Sequence, residues 1–181
     1  MKHLKLPLLA LIILCLTTAC GWQLRGSSKV SQVLEQVYLS SADEHSAFTT
    51  QVRQTLLTNK VVLVDTASAA PLTLHLLDEQ IDRRTAAVGT DALTSAYELF
   101  INVTYEVRDH LGQQLAPVST ASIARTYNYN ADDAASSARE ESLVLREMRR
   151  DLAGQLIRQV SAVYRDHLQA AEPATDAPAA P

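Results

Sequence analysis

One run of the sequence constrains the fold more than any other. Across residues 97–108, Tyr97, Leu99, Ile101, Val103, Tyr105 and Val107 alternate with Glu98, Asn102, Thr104, Glu106 and Arg108, and Phe100 alone breaks the pattern. Successive side chains of a strand point to opposite faces, so strict alternation of this length is a strand with one buried and one polar face. Such a strand requires a sheet that is covered on one side.

The neighbouring sequence supplies the rest of that sheet. Gln36-Val-Tyr-Leu-Ser40 reads as a short strand with Val37 and Leu39 on one face. Val61-Val-Leu-Val64 reads as a second, wholly apolar one. Residues 72–88 form a third, long strand, opened by Leu72, Leu74 and Leu76 in alternation with Thr73 and His75. Gly89-Thr90-Asp91 marks the turn into the alternating run. Asp109-His-Leu-Gly112 then closes a hairpin onto a partner strand from Pro117 to Tyr129, with proline at the first strand position.

Two helices complete the pattern. Ser41-Ala-Asp-Glu44 has the spacing of a capping box and predicts a helix to about Thr58, with Phe48, Val52 and Leu56 in one stripe. Asn59 is its expected end, in the left-handed conformation. Asp132 and Asp133 open the last helix, where carboxylates complement the helix dipole. Leu145, Met148, Leu152, Leu156, Val160 and Val163 share one face of its roughly 30 residues, and Gly154 is its weak point. The expected class is an α/β (α+β) two-layer sandwich, with two helices packed on one mixed sheet of four to five strands. A right-handed crossover carries the first helix.

The chain opens with Met1-Lys-His-Leu-Lys5 and an apolar stretch from Leu6 to Leu16 broken by Pro7. That stretch is too short to span a bilayer and has the anatomy of a signal peptide. It ends in Leu16-Thr-Thr-Ala-Cys20, which resembles the lipobox of bacterial lipoproteins, although Thr17 stands where a Leu-like residue is usual. Cys15 falls inside the leader, which leaves Cys20 without an intrachain partner. The reading is a signal peptide over residues 1–19, a lipid-anchored domain over 20–169 and a disordered Pro/Ala-rich tail over 170–181. Cys20 would carry a covalent N-acyl diacylglycerol and no other cofactor is expected. Gly21, rather than Asp, follows the cysteine, which by the sorting rule of enteric-type lipoproteins sends the protein to the periplasmic side of the outer membrane.

Charge narrows the function. Without residues 1–19 the chain has 14 basic and 20 acidic side chains, a net charge of −6, which argues against a nucleic-acid partner. The histidines His3, His45, His75, His110 and His167 have no metal-ligand spacing, and no glycine-rich phosphate loop or GxSxG elbow is present. No catalytic or metal site is expected; His75 reads as a strand-surface residue and His110 as a turn residue. Arg83, Arg84 and Arg125, planted in strand ends, are candidates for holding lipid phosphates through paired hydrogen bonds. The arginines of the last helix read as a solvated face balanced by Glu140, Glu141, Glu147 and Asp151, with Glu147 and Arg150 at pairing distance.

Cys20-Gly-Trp-Gln-Leu-Arg-Gly26 closely resembles the opening of the LPS-assembly lipoprotein LptE family, and the order of elements to about Gln169 resembles that family too. The resemblance implies a non-enzymatic assembly role: a plug inside the outer-membrane β-barrel LptD, one to one, that assists the barrel's folding and takes part in lipopolysaccharide transport and insertion. It implies lipopolysaccharide as ligand, with Arg83, Arg84 and Arg125 as a candidate basic edge and Trp22 and Leu24 as candidate barrel or membrane contacts. Two other readings stay open on the residues alone, an outer-membrane lipoprotein enzyme with a spatially assembled site and a periplasmic lipid carrier with a deep apolar cavity.

Overall fold

A computed structural model describes residues 33–171. The alternating run is the fourth strand, and its apolar members Leu99, Ile101, Val103, Tyr105 and Val107 are all buried. In chain order the elements are β1 (Gln36–Ser41), α1 (Ala47–Thr58), β2 (Val62–Leu63), β3 (Leu72–Val88), β4 (Thr94–Asp109), β5 (Ser119–Asn128) and α2 (Ala134–Ala171). The five strands form one mixed sheet in the order β2-β1-β3-β4-β5. β1 runs parallel to both β2 and β3, and β3–β4 and β4–β5 are antiparallel.

Both helices lie on one face. Phe48, Val52 and Leu56 of α1 and Met148, Leu152, Leu156 and Val160 of α2 join Val37, Leu39, Leu72, Leu74 and Leu76 and the inner residues of β4 in a single core. Burying each such side chain contributes roughly 1.5–3 kcal/mol, which is why these stripes fix the layer arrangement. The expected two-layer sandwich is therefore the observed one, with five strands.

Local details depart from expectation at the element ends. The Ser41–Glu44 segment does not start α1. Glu44 Oε1 does accept from Ser41 N–H at 2.9 Å, but the Ser41 hydroxyl serves a tight turn through Asp43. The helix begins five residues later, where Ser46 Oγ accepts from Thr49 N–H at 2.9 Å. Asn59 stays right-handed and ties its side-chain amide to Thr55 O, while Lys60 takes the left-handed conformation at φ 63°. The second strand shrinks to two residues, because α1 hands the chain on at the sheet edge with only Glu35 and Val37 to bond. β5 starts two residues after Pro117. α2 runs for 38 residues and takes in Ala170 and Ala171, the first two residues of the expected tail. Residues 1–32, with the leader, Cys20, Trp22 and Leu24, and the tail beyond Ala171 lie outside the described residues.

One irregularity positions the charged groups. Leu76 pairs with Tyr105 and Asp78 with Thr104, so Leu77 is an extra residue in β3. A bulge of this kind shifts the period-two pattern by one. Before it the even positions Leu72, Leu74 and Leu76 face the helices. After it the odd positions Glu79, Ile81, Arg83 and Thr85 do, opposite Val103, Ile101, Leu99 and Tyr97.

Candidate functional site

The strand pleat separates the three strand arginines, and the bulge decides which of them face the helices. Arg83 and Arg125 both sit opposite Leu99, one on each side, and so share the helix-covered face. Arg84 sits opposite Glu98 on the open face, with its guanidinium 4.6 Å from the Phe100 ring centroid. The basic edge expected from Arg83, Arg84 and Arg125 together is not formed, because adjacent residues of a strand point to opposite faces.

The two inward arginines meet carboxylates of α2. Arg83 Nη1 donates to Glu141 Oε2 at 3.0 Å, and Arg125 Nη1 donates to Glu147 Oε2 at 3.1 Å while its Nη2 donates to Asp151. Between Glu147 and Asp151 the polarity reverses: Arg149 of α2 donates to Glu79 of β3 at 3.1 Å, with both side chains only 18% exposed. Tyr127 OH donates to Glu141 as well. Burial, reinforced by the Glu141 hydrogen bond, pushes the Tyr127 phenol up to about 12, with Arg83 pulling the other way. Arg83 also lies 4.7 Å from the Tyr97 ring centroid, and Tyr97 packs edge-on against Tyr129 at 5.0 Å. Sequence reading missed this charged seam. Its one local signal was Glu147 and Asp151, two carboxylates four residues apart on a helix, which repel unless a cation from elsewhere bridges them.

The same seam changes the outer side of α2. The expected balance of helix arginines by helix carboxylates does not hold, since Glu141, Glu147 and Asp151 are engaged by the sheet. Glu147 bonds Arg125 rather than Arg150. Arg139, Arg146, Arg150, Arg158 and Arg165 have no carboxylate within 4.0 Å among the described residues.

The open face of the sheet is polar, with Ser40, His75, Asp78, Gln80, Asn102, Glu106 and Ser122 among its members. Here the strands place Ser40, His75 and Glu106 in one cross-strand row, and His75 Nδ1 lies 2.9 Å from Ser40 Oγ. The row has a hydrolase's residue types but not its geometry. Both Glu106 oxygens are bound by Arg108, which holds that carboxyl below its ordinary range, and the row lines neither of two open clefts in the fold. One cleft, of about 260 Å³, lies between the β1–α1 turn and the bulge and is lined by Asp43, Ser46, Thr49, Asp78 and Glu79 among others. The other lies between α1 and α2 and is lined by Gln51, Gln54, Thr55, Thr58 and Arg150. Both are open with walls of mixed polarity, and neither is the deep enclosed apolar cavity of a lipid carrier. Among the described residues no group of His, Cys, Asp and Glu is arranged to hold a metal ion.

Comparison with known proteins agrees with the fold. The model of the LptE family, described as lipopolysaccharide-assembly, matches residues 34–160. The chain is 29% identical over 171 residues to the LPS-assembly lipoprotein LptE of Photorhabdus laumondii, which covers 94% of this chain and 93% of that one. It is 29% identical over 161 residues to the protein of the same name from Pectobacterium atrosepticum, covering 88% and 86%. Among solved structures, the rare lipoprotein B of Shewanella oneidensis superposes with a TM-score of 0.64 at 30% identity, covering 74% of this chain and 98% of that one. The family match spans β1 to most of α2, the whole of the sheet and its helical cover, and the chain belongs to the LptE lipopolysaccharide-assembly family.

Proposed function

We propose that this protein is a non-enzymatic outer-membrane lipoprotein, anchored on the periplasmic side through an acylated Cys20, that fills the lumen of the LptD β-barrel as a one-to-one plug. In that place it assists assembly of the barrel and takes part in moving lipopolysaccharide to the outer leaflet. The observation that carries the reading is the family match over residues 34–160, together with relatives that bear the name LPS-assembly lipoprotein over nearly their whole length.

The physical character of the domain supports it. Barrel lumens are polar. This domain has a polar open sheet face on one side and an arginine-bearing helix surface on the other, so it can be surrounded by such a wall on both. No described helix is long and apolar enough to cross a membrane; in this reading the acyl chains on Cys20 and the barrel supply the attachment. Trp22 and Leu24, a few residues from the anchor, are placed by sequence to meet the barrel or the membrane interface. Arg84, the strand arginine without a carboxylate partner among the described residues, is the member of the original trio that remains for a lipopolysaccharide phosphate.

The test is purification of the full-length tagged protein from its own outer membrane in mild detergent, with mass spectrometry of what accompanies it. A single large β-barrel at about one to one, and a mature N-terminus that begins at acylated Cys20, are the expected results. Recovery of the protein alone contradicts the plug reading. Separately, Arg84→Asp is expected to weaken lipopolysaccharide binding with the fold intact, and unchanged binding removes Arg84 from the site.

A further inference from the structure

Arg139, Arg146 and Arg150 follow one another on α2 at intervals of seven and four residues and therefore share one helix face. All three are exposed. Among their helix neighbours three and four residues away, Glu147 is the single carboxylate, and Arg125 of β5 already holds it. The face is thus a row of guanidinium groups whose natural counter-charges have been drawn inward to the sheet. Arg150 continues the row into the α1–α2 cleft beside Gln51, Gln54, Thr55 and Thr58.

We propose that this face is a docking surface for an acidic protein wall, whose carboxylates complete the ion pairs that the helix lacks. The inference rests on the plug reading above and adds to it a surface and the chemistry of the partner that meets it. The spacing favours a protein over a lipid headgroup. A phosphate-bearing lipid calls for cations that converge on a point, with an apolar groove for its chains. Here the three arginines are strung over about 16 Å of helix. The adjoining cleft is lined by amides and hydroxyls, and Leu143 alone breaks the row with an exposed apolar side chain. The rise from Arg146 to Arg150 is about 6 Å, close to the separation of about 7 Å between alternate side chains of a strand, so carboxylates on one face of a barrel strand match it. Guanidinium groups bind carboxylates through paired hydrogen bonds, and all the cations of the row are arginine.

The experiment compares the full-length chain with Arg139→Glu/Arg146→Glu/Arg150→Glu and with the corresponding triple Arg→Lys variant. Each is purified from the outer membrane, with recovered barrel and bound lipopolysaccharide both measured. Thermal melting of the same preparations reports whether each variant folds, and the single Arg146→Glu variant stands in should the triple one unfold. The charge-reversed protein is expected to recover roughly tenfold less barrel, with the loss larger at low ionic strength, while the lysine variant recovers most of it. Barrel recovery at the wild-type level from the charge-reversed protein overturns the proposal and leaves a solvated face. Loss of lipopolysaccharide with barrel recovery unchanged overturns it in favour of a lipid-phosphate site. A wild-type protein that recovers no barrel at all fails the plug reading itself, which is a distinguishable result.

Discussion

The β3–β4 hairpin crosses two regions that are held in different ways. Near its open end, Leu72, Leu74 and Leu76 lie opposite Asp109, Val107 and Tyr105 and pack beneath both helices with almost no exposure. Beyond the Leu77 bulge, Ile81 is 43% exposed, and the strands are tied to α2 through Glu79, Arg83, Arg125 and Tyr127. The first region is held by apolar burial, which is insensitive to salt and intolerant of lost volume. The second keeps the burial of Leu99, Ile101 and Val103 on β4 but adds, on the β3 side, partly exposed ion pairs, each of which contributes little and is screened by salt. The hairpin therefore has a base held by burial alone and a far half in which charged ties to α2 supplement that burial.

Substitutions graded along this contrast can break it. Leu74→Ala, at a fully buried position of the base, is expected to have the largest effect, about 3 kcal/mol in denaturant unfolding with no dependence on salt. A loss below about 1 kcal/mol would show that the base is not apolar-held. Glu79→Gln unpairs Arg149 at the boundary between the regions and is expected to destabilise by about 1–2 kcal/mol, less than a fully buried pair because both groups reach solvent. Tyr127→Phe is expected to destabilise by about 1 kcal/mol through the lost hydrogen bond to Glu141.

Tyr127 also makes the far region sensitive to pH. Its phenol is raised in the folded protein from 10.0 to about 12, so its contribution is complete below pH 10 and is lost as pH rises through about 12. Unfolding measured between those limits should show a downward slope that Tyr127→Phe reduces, the remainder coming from Tyr105 and Tyr164, whose phenols burial also raises. The smallest expected effect belongs to Arg125→Ala, less than about 1 kcal/mol and vanishing in high salt, and a loss that persists in high salt would mean that packing rather than charge holds the seam.

The base of the molecule was readable because its signals are local. Six alternating apolar residues define β4, and stripes at three- and four-residue intervals define the buried faces of α1 and α2. The far half was not, for a specific reason. Leu77 adds one residue to β3 and exchanges the faces of Arg83 and Arg84, and nothing in the run from Leu72 to Val88 marks that residue as extra. The partners of the inward arginines are also remote, Glu141 lying 58 residues from Arg83 and Glu147 lying 22 from Arg125. The start of α1 was misplaced because Ser41 and Ser46 both precede acceptable first turns, and the chain uses the first for a bend and the second for the cap. Of the expected site, the sequence identified the right arginines as unusual but could not assign them to faces.

The central claim, that one barrel surrounds this domain, is tested most directly by photo-crosslinking in cells. A crosslinkable residue is placed in turn at Ser122 on the open sheet face, at Arg158 on the outer side of α2 and at Leu93 on the turn between β3 and β4. The account predicts that all three positions crosslink to the same large β-barrel protein, as a plug requires. Crosslinks from one position only, or to different proteins from different faces, would contradict it and describe a domain docked from one side.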